Sequence, residues 1–351
     1  MSRADRLEAL LGGHELDALL VTDLTNVRYL TGYTGTNGLC IVGPGLRLFL
    51  TDFRYVDQAE REVRGFERER GKQDLLEEAV ERLSGRVGFE DHEMSVKRHA
   101  RLAELVGERA ELVPAGRLVE ELRKVKEPEE LDRIRAASAL AEDVLRGVVE
   151  GGLAGRTERE VAFELQTEMR RRGAEPSFPA IVAGGANGAL PHAQPSDEPI
   201  ARHTLVVVDF GAELDGYCSD CTRTFATGAV DGQLTEVYEL VRSTQADTLE
   251  KVRAGASGVE VDGFARERIA AAGHGERFGH GLGHGVGLVV HEGPTLSRLS
   301  RDSLAAGNVV TVEPGVYLPG EFGVRIEDLV VVTDGEPEVL TGFPKELTEV
   351  E

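Results

Sequence analysis

Two segments of the chain end a run of apolar, mostly β-branched residues with a carboxylate, one further residue and a glycine. The first, LVVVDFG, covers residues 205–211, and the second, VVTVEPG, covers residues 309–315. Each is followed by a turn and another strand-like run with a second carboxylate, Asp220 after the first segment and Glu327 after the second. Because an ionised group at the end of a buried run needs a partner, the pattern predicts two related strand pairs that bring four carboxylates to one centre.

The turn between the first two carboxylates predicts how they are placed. Asp215-Gly216 is a strong signal for a two-residue hairpin turn. Closing the hairpin there sets Asp209 opposite Thr222 and puts Asp209 and Asp220 on the same face, with Cα atoms roughly 7–8 Å apart. Two carboxylates at that separation can converge on a pair of metal ions about 3.5–4 Å apart.

The same stretch contains a C-x-x-C pair, Cys218 and Cys221, which has the spacing of zinc knuckles and redox dithiols. On an extended strand, residues three apart point to opposite faces, whereas a chelating pair needs a turn or the start of a helix. The sequence therefore favours packed, small apolar side chains for the two cysteines, with a metal or redox role as the alternative.

Histidines are concentrated in FGHGLGHGVGLVVHEGP, residues 278–294. His280 and His284 have the i, i+4 spacing of helical zinc motifs, but the glycines between and around them make a helix unfavourable. We expect an extended backbone that lies very close to its neighbours, with His291 following on a short apolar run. His192, in a loop rich in turn-forming residues, is a further candidate.

Arg325 and Glu327 are two residues apart in a strand-like run and therefore share a face. A buried arginine beside a metal-binding carboxylate can orient it and keep it ionised. An ordinary structural ion pair explains the spacing equally well, so the sequence leaves both interpretations open.

Composition excludes several classes of partner. The formal net charge of −22 has the wrong sign for nucleic acid or an anionic membrane surface. We expect no secretory signal and no membrane-spanning segment, and three cysteines are too few for a disulfide framework. We expect a cytoplasmic protein.

The 351 residues predict two domains. In the first third, strand-like and helix-like runs alternate, which predicts an α/β layer with a mostly parallel sheet. A long helical pattern begins near residue 122 and restarts at Pro128, where Glu129 and Glu130 suit a first turn. We therefore predict domains at 1–122 and 123–351.

Strands are expected at 17–22, 39–43, 46–52, 86–91 and 111–116. Later helices are expected behind Thr157, over 233–254 and over 258–272.

Several of these segments resemble the metallopeptidases of the pita-bread fold, the group of the methionine aminopeptidases, aminopeptidases P, prolidases and creatinases. NVRYLTGYTGTNG (26–38) and FLTDFRY (49–55) are similar to the creatinase/prolidase N-terminal domain, whereas HGLGHGVGLVVHEGP, TVEPGVY and VRIEDLVVV resemble the catalytic signatures of Xaa-Pro peptidases. The resemblance implies an α/β N-terminal domain and an α+β pita-bread catalytic domain with strand-pair units related by a pseudo-twofold axis.

The resemblance also implies a ligand set for two divalent metal ions. The five ligands would be Asp209, Asp220, His284, Glu313 and Glu327, with Asp220 and Glu327 bridging or bidentate. An oxygen-rich site of this kind suits Mn²⁺ or Co²⁺ at least as well as Zn²⁺.

Roles for the remaining residues follow by the same resemblance. His291 and His192 would contact the substrate carbonyl and the tetrahedral intermediate, Arg325 would support the site, and His280 would line the substrate pocket. A hydroxide bridging the metals would attack the scissile carbonyl, and Glu313 would pass the proton to the leaving proline nitrogen.

The resemblance further implies an Xaa-Pro dipeptide as the substrate and a homodimer as the assembly. Compact prolidases often carry an arginine just after the H-E-x-P segment to hold the free carboxylate of the dipeptide, whereas this chain has Thr295, with Arg298 and Arg301 nearby. The departure keeps open an aminopeptidase P that acts on longer Xaa-Pro peptides. A non-catalytic binding module of the same fold is a remote third hypothesis. Non-catalytic relatives of this fold lose the metal ligands, whereas this chain has the full set.

Overall fold

The computed structural model describes residues 1–230 and 232–350. The chain divides into two compact units, Met1–Arg123 and Lys124–Glu351. No helix in these described ranges is both long and apolar enough to cross a membrane.

The first unit is built on a six-stranded mixed sheet in the order β4-β3-β2-β1-β5-β6. The strands are β1 (Ala18–Val21), β2 (Leu39–Gly43), β3 (Leu46–Thr51), β4 (Glu67–Arg70), β5 (Gly85–Phe89) and β6 (Ala110–Pro114). The helices are α1 (Arg3–Gly13), α2 (Leu24–Thr31), α3 (Val56–Glu62), α4 (Leu76–Ala79), α5 (Val96–Val106) and α6 (Leu118–Lys124). A 3₁₀ turn, Val80–Arg82, extends α4. Apolar side chains of α4 and α5 pack on the sheet and form its core.

Most of this sheet agrees with the sequence-based prediction. Three strand pairs, β1–β5, β5–β6 and β3–β4, are parallel, and the pairs β1–β2 and β2–β3 are antiparallel. The edge strand β4 was not predicted, because its sequence, ERER, has no apolar face to reveal it.

The second unit begins with long helices and continues as strands. Its helices are α7 (Pro128–Glu150), α8 (Glu158–Arg171), α9 (Gln233–Leu249) and α10 (Gly258–Ala271). The strands up to the first carboxylate pair are β7 (Glu175–Pro176), β8 (Ile181–Gly184), β9 (Leu205–Phe210), β10 (Ala212–Leu214), β11 (Tyr217–Cys218) and β12 (Cys221–Ala226). The later strands are β13 (Gly283–Gly285), β14 (Glu292–Leu296), β15 (Val309–Val312), β16 (Gly315–Leu318), β17 (Phe322–Arg325), β18 (Asp328–Val331) and β19 (Glu338–Val339).

Local signals place the starts of α7 and α8 correctly. Pro128 occupies the first turn of α7, and Thr157 forms the predicted capping box with Glu160 at the start of α8. Each side chain satisfies or replaces a backbone N–H that has no partner within the helix.

The first carboxylate pair lies on a long hairpin with the predicted register. Asp215 and Gly216 have φ angles of 50° and 80°, as a tight turn of this kind requires. Leu214 pairs with Tyr217 across β10–β11, and Asp209 pairs with Thr222 across β9–β12. The hairpin changes sheet in the middle, because β10 and β11 join β7 whereas β9 and β12 join β8.

The second carboxylate pair lies on a hairpin of the same kind. β15 pairs with β18 and β16 pairs with β17 in one continuous register, and the ladder is interrupted at Glu313 and Glu327. The backbone N–H of Glu313 donates to the carbonyl of Leu282 at 2.8 Å, and that of Glu327 donates to the carbonyl of Thr222 at 3.1 Å. The second hairpin therefore delivers both carboxylates where its own strand pairing stops, whereas in the first Asp220 lies at the interruption and Asp209 stays paired with Thr222.

The glycine-rich segment forms the short strand β13 between β14 and β15, and it is not a helix. A Cβ atom on Gly283 would lie 2.0 Å from the carbonyl oxygen of Thr311, and one on Gly285 would lie 2.1 Å from that of Gly293. Close backbone approach, as predicted, is the reason for glycine at these two positions.

Cys218 and Cys221 pack into different hydrophobic clusters. Cys218 lies with Val286 and Leu329, whereas Cys221 lies with Phe225 and Leu165. Both are buried, and neither forms a disulfide in the described chain. This arrangement supports the packing interpretation of the C-x-x-C pair.

Replacing both cysteines with alanine should leave metal content unchanged, because their side chains lie in separate apolar clusters. The loss of two buried sulfur atoms should lower the free energy of unfolding by roughly 1–3 kcal/mol in total. Metal analysis after dialysis and urea unfolding measure the two quantities. A double variant that no longer retains metal would show that the thiols are ligands after all.

Candidate metal centre

All nine side chains predicted to bind metal or substrate line one cavity of about 450 Å³ in the second unit. They are Asp209, Asp220, His284, Glu313, Glu327, His192, His280, His291 and Arg325. Apolar side chains complete the wall, among them Phe178, Ile181 and Pro195. The two hairpins, β13 and the loop before β9 therefore meet at one place.

Three of the predicted ligands form the tightest group. Donor atoms of Asp220, His284 and Glu327 all lie within 4.8 Å of one another. Nε2 of His284 is 3.6 Å from Oδ2 of Asp220 and 3.4 Å from Oε1 of Glu313. Nδ1 of His284 lies 3.1 Å from the carbonyl oxygen of Gly285, which can only accept. The proton therefore belongs on Nδ1, and Nε2 keeps its lone pair for a metal ion.

Asp209 is held by one oxygen only. Its Oδ2 accepts a hydrogen bond from Nη2 of Arg325 at 2.5 Å. Its Oδ1 is buried and has no hydrogen-bond partner among the described residues. A buried carboxylate oxygen without a partner is costly, so this atom is well suited to a ligand that the protein itself does not provide.

Burial and mutual repulsion set the ionisation of the cluster. Burial, together with the neighbouring carboxylates, raises the pKa of Asp220 and of Glu327 well above the ordinary values. Burial raises the pKa of Glu313 to about 8, although Arg325 opposes the shift. Burial also lowers the pKa of His284 to about 4, so its imidazole is neutral. The oxygen-rich donor set, the neutral imidazole and the unpartnered Oδ1 of Asp209 fit divalent metal ions.

Arg325 is buried and connects several parts of the site. Besides Asp209, it donates to the hydroxyl of Tyr317 at 2.8 Å, to the carbonyl of Pro191 at 3.1 Å and to the hydroxyl of Thr222 at 3.1 Å. The predicted support of a metal-binding carboxylate is thus direct for Asp209, and Thr222 stands between Arg325 and Glu327.

Tyr317 is a site residue that the sequence did not single out. Its hydroxyl lies 2.9 Å from Nε2 of His280 and accepts from Arg325. The one sequence signal for Tyr317 is its place in TVEPGVY, two residues beyond Gly315. A buried tyrosine hydroxyl needs a hydrogen-bond partner. Burial lowers the pKa of His280 to about 4, so this ring is neutral as well.

His291 and His192 also line the cavity. The ring of His291 is 4.2 Å, centroid to centroid, from that of His284. His192 belongs to a loop held by Glu158, whose carboxylate accepts hydrogen bonds from the backbone of Gly184 and Ser196. Glu158 is buried at the start of α8, and the sequence showed it only as a first-turn acid.

Thr295 is directed towards its own loop. Its N–H and hydroxyl donate to Oδ2 of Asp302 at 2.9 and 3.2 Å. It does not line the cavity, and Arg298 lines a different depression beside Phe278. Within the part of the chain that the structure describes, Arg325 is the only lysine or arginine on the cavity wall.

An α/β N-terminal unit, followed by two interrupted hairpins that converge on buried carboxylates, defines a metallopeptidase of the pita-bread fold. The chain belongs to metallopeptidase family M24, whose model matches residues 132–334. The creatinase/prolidase N-terminal domain matches residues 3–125. The family implies divalent metal ions, in agreement with the donor set.

Relatives match nearly the whole chain. An uncharacterized peptidase of Bacillus subtilis, YqhT, is 41% identical over 350 residues, which is 98% of this chain and 99% of the relative. The solved structure of an Xaa-Pro dipeptidase from Bacillus anthracis has a TM-score of 0.96 at 37% identity and covers 99% of both chains. That of an X-Pro aminopeptidase from Thermotoga maritima has a TM-score of 0.91 at 35% identity, covering 99% of this chain and all of the other.

The metal-free protein should lose stability as the pH rises from 6 to 9. A carboxyl whose folded pKa is raised stabilises the fold below its unfolded pKa, and this contribution is lost as the pH passes the folded value, about 8 for Glu313. Each such group contributes up to about 1.4 kcal/mol per pH unit. Urea unfolding in a chelator at several pH values measures the slope. The control, Glu313→Gln, cannot titrate and should show a shallower slope; an equal slope in both proteins would contradict the prediction.

Asp220→Asn should abolish metal binding and make the metal-free protein more stable at pH 8. The amide removes a ligand and also one member of a mutually repelling cluster. We expect activity to fall by more than the roughly 10–100-fold typical of losing a residue that only supports a ligand. Asp132→Asn makes the same chemical change on an exposed side chain of α7 and should alter neither property. A metal-free Asp220→Asn protein that is less stable than the wild type would show that repulsion is not the dominant effect.

Proposed function

We propose that this chain is an Xaa-Pro dipeptidase that hydrolyses the bond before proline with two bound divalent metal ions. The observation that carries the proposal is the convergence of Asp209, Asp220, His284, Glu313 and Glu327 on one buried cavity. The likeness to an Xaa-Pro dipeptidase over the full length of the chain supports the choice of substrate. We further propose that residues 1–122 and 123–351 are the N-terminal and catalytic domains.

The five ligands would hold Mn²⁺ or Co²⁺ in preference to Zn²⁺, because four carboxylates and one imidazole form a hard donor set. When bound, such ions polarise a carbonyl group and lower the pKa of water at the site. The protein contributes the fixed directions of the donors. Gly285 fixes the ring of His284, and Arg325 fixes Asp209.

Glu313 is suited to move the proton from the attacking water to the leaving nitrogen of proline. Its carboxyl lies beside His284 on the cavity wall. A general acid–base works best when its pKa is near the operating pH, and burial raises the pKa of Glu313 to about 8 before the ions bind. Bound cations act in the opposite direction and favour the carboxylate that accepts the proton.

His291 and His192 are placed to stabilise the substrate oxygen. Both line the cavity, and burial lowers the pKa of His291, which keeps its ring neutral with one N–H to donate. A donor directed at a developing oxyanion contributes about 10²–10³-fold in rate. His280 would line the pocket and is held by Tyr317.

One observation favours an aminopeptidase P as the second candidate. A dipeptide presents its free carboxylate next to proline, and a paired guanidinium is the natural partner for it. Among the described residues, the only arginine on the cavity wall, Arg325, is already bound to Asp209, and Thr295 is bound to Asp302. A non-catalytic module has little support, because the whole ligand set is present. The homodimer and the cytoplasmic location stay predictions.

Cleavage of Ala-Pro and Ala-Pro-Ala by Mn²⁺-loaded protein separates the candidates, with Ala-Ala as the control for proline specificity. We expect Ala-Pro to be hydrolysed and Ala-Ala to be hydrolysed at least about tenfold more slowly. A chelator should stop the hydrolysis of both dipeptides. Release of alanine, followed by amino-acid analysis, gives the rates. Cleavage of the tripeptide alone would replace the dipeptidase with an aminopeptidase P, and cleavage of neither would favour the binding module.

A further inference from the structure

Arg325 reaches Glu327 through a third side chain, Thr222. Nε of Arg325 donates to the hydroxyl of Thr222 at 3.1 Å, and that hydroxyl donates to Oε2 of Glu327 at 2.7 Å. All three residues are buried, and Thr222 is fully so. No step of the proposed reaction uses this threonine.

The direction of this chain of hydrogen bonds is fixed by chemistry. A guanidinium has only donors, so the hydroxyl oxygen must accept from Arg325. A metal ligand is deprotonated, so Oε2 of Glu327 can only accept, and the single proton of the hydroxyl goes to it. A side chain without a hydroxyl at position 222 would leave a buried N–H of Arg325 and a buried oxygen of Glu327 without these partners.

The backbone of Thr222 holds the same residue a second time. Its carbonyl accepts the N–H of Glu327 at 3.1 Å, and this bond joins the first hairpin to the second where the second is interrupted. Across β9–β12, Thr222 stands directly opposite Asp209, which Arg325 also binds. One guanidinium thus orients a carboxylate from each hairpin, directly for Asp209 and through Thr222 for Glu327.

We propose that Thr222 is a positioning residue whose hydroxyl fixes the Glu327 carboxylate in its metal-binding orientation. The inference rests on the proposed metal site but not on which peptide is cleaved. The alternative is that Thr222 only fills space between the strands, in which case valine, which has nearly the same shape, would serve equally well.

Thr222→Val should weaken Mn²⁺ binding by about 10–100-fold, the usual cost of removing a partner that orients a metal ligand. Thr222→Ser keeps the hydroxyl and should bind within about threefold of the wild type. At saturating Mn²⁺ we expect kcat for the Xaa-Pro substrate to fall with KM little changed, because Thr222 contacts Glu327 but does not itself line the cavity.

Thr248→Val is the matched control. Thr248 is also fully buried, and its hydroxyl donates to the carbonyl of Thr244 within α9. The Thr248→Val variant therefore also loses a buried hydrogen bond of a threonine hydroxyl, but one that involves no metal ligand. Its stability should fall as that of Thr222→Val does, and its Mn²⁺ affinity should not change.

The experiment measures the Mn²⁺ dissociation constant of the metal-stripped full chain by calorimetry, together with thermal unfolding in a chelator. Weak binding in Thr222→Val, with near wild-type binding in Thr222→Ser because the hydroxyl is retained, is the expected result. Wild-type affinity in Thr222→Val, or equal losses in the valine and serine variants, would overturn the proposal. Thr222→Ala also removes the hydroxyl and gives the same test if the valine variant does not fold.

The same measurements separate this inference from the proposed function. A wild-type protein that binds Mn²⁺ but cleaves no Xaa-Pro peptide would refute the dipeptidase, whereas the pattern among the Thr222 variants would still support the positioning role. A wild-type protein that binds no Mn²⁺ would overturn both.

Discussion

The repulsion between four carboxylates in one buried cavity is the constraint on which the catalytic unit depends. Side chains that repel one another in the absence of cations do not assemble by their own attraction, so the backbone must bring them together. Two long hairpins do this, and in each the strand pairing is interrupted at its carboxylates or within two residues of them. The raised pKa values of Asp220, Glu313 and Glu327 record how strongly burial and proximity act on the cluster. The strands, and not any attraction between the carboxylates, therefore arrange this cavity to bind cations.

Alternation along the second hairpin gives adjacent acids opposite environments. Glu327 faces the cavity, and its pKa is raised, whereas Asp328 faces away and is bound by Arg223 and Lys345. Burial acts to raise the pKa of Asp328 as well, but these two cations outweigh it and lower the pKa. The guanidinium of Arg223 also donates to the backbone carbonyl of Glu327. A buried ion pair on the far side of the strand thus fixes the backbone from which the cavity acid projects.

Local sequence signals were sufficient for the features that depend on neighbouring residues. The Asp215-Gly216 turn determined the pairing of Asp209 with Thr222, and the glycines around His284 excluded a helix. Tyr317 and Glu158 could not be found in this way, because their partners are brought close only by the folded chain. Strand β4 was missed for another reason: a charged edge strand is stabilised by backbone pairing with β3 and carries no apolar pattern.

The glycines of β13 have a consequence for how the site tolerates change. Glycine is usually associated with freedom of the backbone, yet Gly283 and Gly285 have no room even for a methyl group, because carbonyl oxygens occupy that space. The backbone of this segment therefore packs directly against neighbouring carbonyl groups, and this close packing positions the strand from which His284 projects into the cavity. Replacing either glycine with alanine would push the strands apart and displace the imidazole of His284, although every ligand residue would be unchanged.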